Sequence, residues 1–361
     1  ARSDDEEQCI TALRGVRRRE VARTAAADVL GLVDSVGAAS SVTVAADVLI
    51  NGALSLATES VLQEWGRKKP LAHMLVVAMG RYGGMEMGYT SDADVQFVYE
   101  PLGEAEKAYD FAQAVAAKLR DLLQRPNSQP ALAIDADLRP EGKNGPLVRS
   151  LESCAEYYRR WSDPWEAQAL LRARPVAGEH KLMAAFVEMI DEVRYPEELP
   201  ASALKQMRTL KARMESERLP RGVEPRRHLK LGPGGLSDVE WSVQLLQLTH
   251  GRSVHALRTP QTLEALRAAQ DAELISPSDA ADLVAAWELA TELRGAIALR
   301  GGTQDVNVIT RDLSETRVLA EILGTGESGQ ALEQRWARVS RRARAVTERV
   351  FFGWKAGSAQ Q

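Results

Sequence analysis

The chain has 361 residues, enough for two or three compact units that each bury a core of their own. It is 45% hydrophobic and 27% charged, as ordinary globular proteins are, and its formal net charge of −4 gives no electrostatic reason to expect a nucleic-acid-binding track. Its two cysteines, Cys9 and Cys154, exclude a disulfide framework and a cysteine metal cluster.

The N-terminal segment Ala1–Glu7 is polar and acidic, which is unlike a signal peptide. We expect no apolar stretch of the roughly 18 residues needed to span a membrane. The two isolated cysteines are typical of reduced thiols, which predicts a cytoplasmic location. The sequence does not begin with Met. This predicts that the chain was processed or is a piece of a longer protein.

The first 70 residues predict two helices. Apolar residues recur at roughly helical spacing between Glu6 and Asp34. A Ser-rich break at Ser40 and Ser41 is predicted to precede the second helix, which ends in the basic turn before Pro70. Residues 1–70 are therefore expected to be N-terminal helices that pack on a catalytic unit.

Residues 71–150 change to the pattern of a small mixed α/β unit. Met74–Met79 is a short apolar run closed by Gly80, which favours a buried strand. Further strands and one helix complete the unit: strands over Asp94–Tyr99 and Ala131–Leu138, a strand that starts at Leu147–Arg149, and a helix over Glu104–Leu123.

Everything after Leu151 is predicted to be helical, forming one larger domain over residues 151–361. The strong segments are 151–160, 165–172, 181–194, 203–218, 236–249, 277–299 and 330–351. Interruptions at 219–235 and 301–310 divide the region. The predicted fold class is α+β, with an α/β unit flanked by N-terminal helices and a larger C-terminal all-helical domain.

The strongest chemical signal is a set of three acids. Asp92 and Asp94 stand two residues apart at a strand start, so their side chains point to the same face. Two close carboxylates repel unless a cation joins them, and Mg²⁺ prefers a few carboxylates together with phosphate oxygens. Asp135 lies between apolar residues on a neighbouring strand. The three acids predict a catalytic site for Mg²⁺ or Mn²⁺.

Nearby residues predict that this site binds a nucleotide. The glycines Gly83 and Gly84 let the backbone approach a phosphate without a Cβ in the way. Ser91 adds a hydroxyl donor, and Arg139 and Lys143 are candidates to hold a triphosphate. Gly-Gly turns and Asp-x-Asp pairs are each common as solvated turns or caps. The ordered set, however, resembles the polymerase-beta-like nucleotidyltransferase fold.

That chemistry assigns a role to each acid. Two bound metal ions would clamp the attacking oxygen and the leaving pyrophosphate of ATP. Asp92 and Asp94 would bridge the ions. Asp135 would hold the catalytic ion and help to take the proton from the attacking hydroxyl.

Four blocks of the sequence resemble glutamine synthetase adenylyltransferase. They occur in the expected order over about residues 74–250: Met79–Gly84 followed by Gly88–Asp94, then Asp135–Gly142, Trp165–Arg174 and Gly234–Trp241. The resemblance implies transfer of AMP from ATP to a tyrosine of glutamine synthetase, in the regulation of nitrogen assimilation. It also implies control by glutamine and a PII-type signalling protein, with no nucleic-acid or membrane partner.

Members of that family carry two similar halves, one that transfers AMP and one that removes it by phosphorolysis. This chain resembles one half, and the Trp-Glu-x-Gln-Ala form of its third block resembles the transferring, C-terminal half. Three alternatives stay open: the adenylyl-removing half, a small-molecule nucleotidyltransferase, and a non-catalytic docking module. Asp137, a position that is often Arg in relatives, could share the metal with Asp135 or replace it.

Several other residues have a structural and a functional interpretation. Ser237–Glu240 has the pattern of a capping box, but the resemblance leaves a role for Asp238 and Glu240 in contacting a nucleotide or partner. Trp165 is predicted to anchor the α/β unit to the helices, and Glu166 to be a favourable acid in a first helical turn. Arg172 and Arg174 could reach phosphate or simply solvate a face. Trp241, Leu245 and Leu248 are predicted to lie in the core, and His228 is given no metal role. The arginines at 335, 338, 341, 342 and 344 are predicted to form a solvated face or a site for an acidic partner.

Overall fold

The structure, a computed structural model, describes residues 2–301 and 305–354. Contacts divide the chain into two units. Unit 1 comprises the chain up to Thr24 together with Ala39–Arg194, and unit 2 comprises Ala25–Ala38 together with the chain from Tyr195 onwards. The predicted division into 1–70, 71–150 and 151–361 stays a prediction.

The α+β class is confirmed, because a small mixed sheet is combined with helices before and after it. The strands are β1 (Ala72–Ala78), β2 (Ala93–Pro101), β3 (Ile134–Asp135), β4 (Val148–Ser150) and β5 (Arg174–Gly178). The helices of the described residues are α1 (Arg2–Val29), α2 (Ser35–Glu64), α3 (Gly80–Gly83), α4 (Ala105–Gln124), α5 (Leu151–Arg160), α6 (Pro164–Leu170), α7 (His180–Arg194), α8 (Ala201–Glu217), α9 (Leu236–His250), α10 (Thr262–Asp271), α11 (Pro277–Arg300), α12 (Leu313–Ile322) and α13 (Gly329–Val350).

The sheet of unit 1 is built on β1 and β2. Strand β1 pairs antiparallel with both β2 and β5, and β2 pairs in parallel with β3 and β4. Met74 and Val76 of β1 face a core that they share with α2 and α4. Leu75 and Val77 face a second core that they share with α5 and α7. Burial on both faces explains why the strand is an unbroken apolar run rather than an alternating one.

The break between the first two helices lies earlier than predicted. Gly31, with a φ of +67°, ends α1, and the carboxylate of Asp34 accepts the N–H of Gly37 at 2.7 Å to begin α2. A left-handed backbone suits glycine, and an aspartate at a helix start is a strong capping signal. The prediction of a break at Ser40 and Ser41 is therefore wrong, since both lie inside α2.

Helix α2 is long and apolar enough, by length and composition alone, to cross a membrane, with a mean hydropathy of 1.4 over its best window. The prediction that the chain has no such stretch is therefore wrong. Half of that window is buried, and Leu49, Ile50 and Ala53 pack into the core of unit 1. Helices that are buried on most sides are commonly this hydrophobic.

The prediction that everything after Leu151 is helical is wrong at one segment. Strand β5 returns to the sheet and pairs with the edge of β1 that faces away from β2. This pairing satisfies backbone groups that an exposed edge would leave open. Helices α5 and α7 belong to the same unit, because Tyr158 and Phe186 are buried against the sheet. Residues beyond 150 therefore pack on the same sheet.

Unit 2 contains α8 to α13. Its core includes the large side chains Trp287 and Trp336, both nearly inaccessible to solvent. The predicted core positions Trp241, Leu245 and Leu248 are confirmed as buried. Helices α10 and α12 lie outside the strong segments that the sequence pattern predicts.

Candidate metal and nucleotide site

Strand pairing brings the three predicted acids together at one end of the sheet. Asp92 directly precedes β2, Asp94 is the second residue of β2, and Asp135 is the partner of Asp94 in the parallel register with β3. One carboxylate oxygen from each residue lies within 4.8 Å of the other two. Asp92 is exposed and the other two are half-buried, so the group is open to a ligand.

This group fits a hard divalent cation. Mg²⁺ takes oxygen ligands at about 2.0–2.1 Å, so two ligands of one ion lie at most about 4.2 Å apart. The three carboxylate oxygens lie within 4.8 Å of one another, which is close to that span. Asp135 is already oriented, because its Oδ1 accepts the N–H of Asp137 at 2.8 Å. An all-carboxylate donor set favours Mg²⁺ or Mn²⁺ over zinc or copper.

Gly80, which the sequence shows at the end of a strand and inside the block Met79–Gly84, borders the acids. Gly80 has a φ of +52°, and a Cβ at this position would lie 2.6 Å from Oδ2 of Asp94. A larger residue would therefore be strained and would also displace the carboxylate. The signal available in the sequence was a glycine directly after the buried strand that runs beside Asp94.

The glycines Gly83 and Gly84 approach protein rather than solvent. A Cβ on Gly83 would lie 1.7 Å from the carbonyl oxygen of Arg172, and one on Gly84 would lie 2.2 Å from Nη2 of the same residue. Arg172 is buried and forms an ion pair with the buried Glu86. The interpretation of Arg172 as a solvated side chain is therefore wrong. A phosphate contact at Gly83 and Gly84 stays a prediction.

Arg174 is also engaged within unit 1. Its guanidinium donates to both carboxylate oxygens of Asp47, at 2.9 and 3.0 Å, and lies over the ring of Tyr82. This bidentate pairing ties β5 to α2. The interpretation of Arg174 as a residue that merely solvates a face is also wrong.

The remaining predicted ligands hold the loops on either side of the acids. Ser91 Oγ accepts the N–H of Gly88 at 2.9 Å, which closes the turn before Asp92. All three guanidinium nitrogens of Arg139 donate hydrogen bonds to backbone carbonyls of the loop 136–146. Lys143 is exposed and pairs with Asp137 at 3.1 Å. Phosphate binding by these residues stays a prediction.

Asp137 faces the cations of its own loop. It pairs with Lys143, and Arg139 lies 3.8 Å away, whereas Asp135 joins the three-acid group. Within the described residues, Asp137 is not a member of that group. The geometry therefore favours Asp135 as the third metal-binding acid.

A cavity of about 470 Å³ opens beside the acids, within the usual size range of ligand pockets. Its charged lining consists of Asp92, Asp135, Asp137, Arg139 and one residue that sequence reasoning missed, Arg120. Arg120 lies on α4, which was predicted as a helix but given no function. A single arginine on an amphipathic helix carries no local signal that separates a ligand contact from a solvated face.

The loop 136–146 is attached to α5 and α6 through Tyr157. The hydroxyl of Tyr157 accepts the N–H of Glu141 at 3.3 Å and donates to Glu166 at 2.9 Å. Glu166 also accepts the N–H of Asp163 at 2.9 Å, which completes a capping box and confirms it as a first-turn acid. Burial raises the pKa of Glu166, although its hydrogen bonds oppose this. Trp165 is 37% exposed, and its role as an anchor between the α/β unit and the helices stays a prediction.

Asp238 belongs to a buried charge cluster in unit 2. Helix α9 begins at Leu236 after Gly235, so the capping-box interpretation of Ser237–Glu240 is wrong. Asp238 is 1% exposed and accepts bonds from Lys211 at 2.6 Å, Arg344 at 3.2 Å and the N–H of Gly234 at 2.7 Å. These contacts assign Asp238 a structural role.

Arg344 and His228, two further residues of unit 2 that the sequence analysis considered, both have partners within the protein. Arg344 is not part of a solvated face, because the charge cluster encloses it. The Nδ1 of His228 accepts the backbone N–H of Lys230 at 3.2 Å, and burial lowers the pKa of the imidazole. This nitrogen is therefore occupied within its own turn.

Comparison with known proteins gives two family matches. Residues 1–189 match the family described as glutamate-ammonia ligase adenylyltransferase, and residues 204–351 match the family described as GlnD PII-uridylyltransferase. Three similar proteins are each named bifunctional glutamine synthetase adenylyltransferase/adenylyl-removing enzyme. They come from Streptomyces coelicolor (50% identical), Mycolicibacterium smegmatis (44%) and Bifidobacterium longum (43%).

These alignments cover 97%, 98% and 97% of this chain but only 36%, 35% and 33% of the three relatives, in the same order. The chain therefore spans about a third of the length of the curated relatives that it matches.

Proposed function

Because the chain belongs to the glutamate-ammonia ligase adenylyltransferase family, we propose that it transfers AMP from ATP to a tyrosine of glutamine synthetase and releases pyrophosphate. The observation that carries the proposal is the convergence of Asp92, Asp94 and Asp135 within 4.8 Å beside a cavity of about 470 Å³. All three are proposed as catalytic and metal-binding residues. Transfer of a nucleotidyl group needs clustered oxygen ligands for a divalent cation next to room for a nucleotide.

The chain's own residues then have separate tasks in the transfer. The tyrosine oxygen attacks the α-phosphorus, the bond from that phosphorus to the bridging oxygen of pyrophosphate breaks, and Asp135 accepts the proton of the tyrosine hydroxyl. Asp92, Asp94 and Asp135 would hold a divalent cation, which would supply positive charge to offset the charge on the reacting phosphates. The hydrogen bond from Asp137 N–H keeps the Asp135 carboxylate aimed at the site.

Other predicted ligands are proposed at the edges of the cavity. Lys143 is the most exposed of them and can leave Asp137 to reach a phosphate. Gly83, Gly84 and Ser91 remain candidates through their position in the loop before the acids. Arg139 is proposed to act by positioning the loop 136–146, because its N–H groups already serve that loop.

The direction of the reaction has one alternative within the same family. The adenylyl-removing half would use phosphate to release ADP from modified glutamine synthetase, with the same three acids. The Trp165–Ala169 form of the third block supports the transferring direction. A small-molecule acceptor is less favoured, since a whole helical unit follows the catalytic one.

Labelling of glutamine synthetase tests the proposal. The chain is incubated with glutamine synthetase, Mg²⁺ and ATP labelled at the α-phosphate, beside the double variant Asp92→Asn, Asp94→Asn. Asp110→Asn, an exposed acid on α4, is the matched control. Label on the synthetase with the wild type and the control, but not with the double variant, supports the proposal.

Two other outcomes would redirect it. Phosphate-dependent release of ADP from adenylylated synthetase identifies the removing half. Neither activity, with Mg²⁺–ATP still bound, would show that glutamine synthetase is not the acceptor.

We also propose a cytoplasmic location and regulation by glutamine and a PII-type protein. The match of residues 204–351 to a family described by its action on PII supports unit 2 as the place to look for such a contact. Titration of the chain with a PII-type protein, followed by isothermal calorimetry, tests this. Absence of heat at every nucleotide and glutamine concentration would count against regulation through this part of the protein.

A further inference from the structure

The cavity beside the three acids is lined by one arginine, Arg120, that forms no hydrogen bond or ion pair with the described part of the protein. Its lining includes two arginines, Arg120 and Arg139. Arg139 donates to carbonyl oxygens through Nε, Nη1 and Nη2. Arg120 has no hydrogen bond or ion pair to any residue that the structure describes, and its Nε is buried without a partner.

Arg120 lines the cavity without a charge partner among the described residues, so its guanidinium is available to an anion that enters the cavity. Arginine presents several N–H groups in a fixed plane and suits phosphate oxygens better than a lone ammonium does. Lys143, an exposed cation of the loop 136–146, already pairs with Asp137. Arg120 is therefore the best-placed cation for a polyphosphate at this site.

We propose that Arg120 binds the polyphosphate of the nucleotide, on the side of the cavity formed by α4. This rests on the proposed function, because the ligand is the nucleotide of that reaction. Arg120 lies in the fifth turn of α4, a helix fixed by buried residues such as Val115 and Leu119. That packing holds its backbone, while Asp92 and Asp135, which line the same cavity, lie directly before β2 and on β3. A polyphosphate in this cavity would meet the guanidinium of Arg120 as well as the acids with their metal.

Equilibrium binding of Mg²⁺–tripolyphosphate and of Mg²⁺–ATP to the whole chain tests the proposal. The variants are Arg120→Ala and Arg120→Lys, with Lys107→Ala as the control. Lys107 is on the same helix, carries the same charge and pairs only with exposed Glu104. We expect Arg120→Ala to weaken both ligands at least tenfold, about 1.4 kcal/mol, and Arg120→Lys to lose less. Lys107→Ala should stay within twofold of the wild type.

Binding of Mn²⁺ alone separates a ligand contact from damage to the acid group. We expect Arg120→Ala to bind Mn²⁺ as well as the wild type or slightly better, because a nearby positive charge is removed. Unchanged tripolyphosphate binding in Arg120→Ala would overturn the proposal. So would an equal loss of Mn²⁺ binding, since that would assign Arg120 to the support of the acids.

The outcome is independent of the labelling experiment. Loss of polyphosphate binding in Arg120→Ala upholds the role of Arg120 even if glutamine synthetase receives no label. Labelled synthetase together with wild-type polyphosphate affinity in Arg120→Ala overturns this inference and leaves the proposed function standing.

Discussion

Replacement of Asp238 by asparagine should destabilise unit 2 strongly, although the two side chains have nearly the same shape. Asp238 is 1% exposed and faces Lys211, which is also almost completely buried. Removal of one partner of a buried ion pair costs about 3–5 kcal/mol, because the other charge is left uncompensated. Glu215 remains as a partner of both Lys211 and Arg344 at 2.9 Å, so the lower end of that range is expected.

Thermal unfolding of the whole chain measures this effect. Each kcal/mol shifts the melting temperature of a domain of 150–250 residues by about 2–4 °C, so a loss of about 3 kcal/mol lowers it by about 6–12 °C. Asp238→Ala should lose more, because it also leaves Gly234 N–H without its acceptor. Asp271→Asn, an exposed acid on α10, is the matched control and should melt with the wild type.

The pH dependence supplies a second check on the same residue. Burial acts to raise the pKa of Asp238, but attraction by Lys211 and Arg344 outweighs it, so the pKa lies below the ordinary value of 3.8. A carboxyl whose pKa is lower in the folded state stabilises the fold at pH values above its pKa in the unfolded state. This stability is lost as the pH falls through its pKa in the folded state. The difference between wild type and Asp238→Asn should therefore shrink below about pH 4. A melting difference under about 2 °C at neutral pH, or one that grows in acid, would refute the reasoning.

Three other predictions concern the turn after β1, the pH response of unit 2 and the acid group. Gly83→Ala should destabilise unit 1 by about 1–3 kcal/mol or more, because the new Cβ would lie 1.7 Å from the carbonyl oxygen of Arg172. The control Gly103→Ala, which has open space around the new Cβ, should have the melting temperature of the wild type. Burial raises the pKa of Glu292 above 4.5, so the stability that its protonated form contributes is lost as the pH rises. In chemical denaturation, the stability of Glu292→Gln relative to the wild type should therefore increase between about pH 4 and 7. A constant difference between the two proteins across that range would contradict this. Asp135→Asn should weaken Mn²⁺ binding at least tenfold by calorimetry while the melting temperature stays within a few degrees, and retained affinity would remove Asp135 from the metal site.

Local patterns determined much of the fold and the acids of the site. The apolar run of β1 is readable because both of its faces are buried, and the spacing of Asp92 and Asp94 fixes their common face through the two-residue repeat of a strand. Asp135 was also identified from its position between apolar residues. The spacing of apolar and acidic residues determines which face of its own strand or helix each residue occupies. Strands and the common face of two acids can therefore be predicted from short stretches of the chain.

Contacts between distant segments were decided only by the tertiary structure. The sequence could not show that β5 would return to β1, that Gly83 and Gly84 would pack on Arg172, or that Asp238 would meet Arg344. Such pairings depend on the three-dimensional path of the chain, and the same residue types occur on solvated surfaces. Arg120 shows this most clearly: its place on α4 was predicted, but whether its charge met a partner depended on strands that lie elsewhere in the sequence.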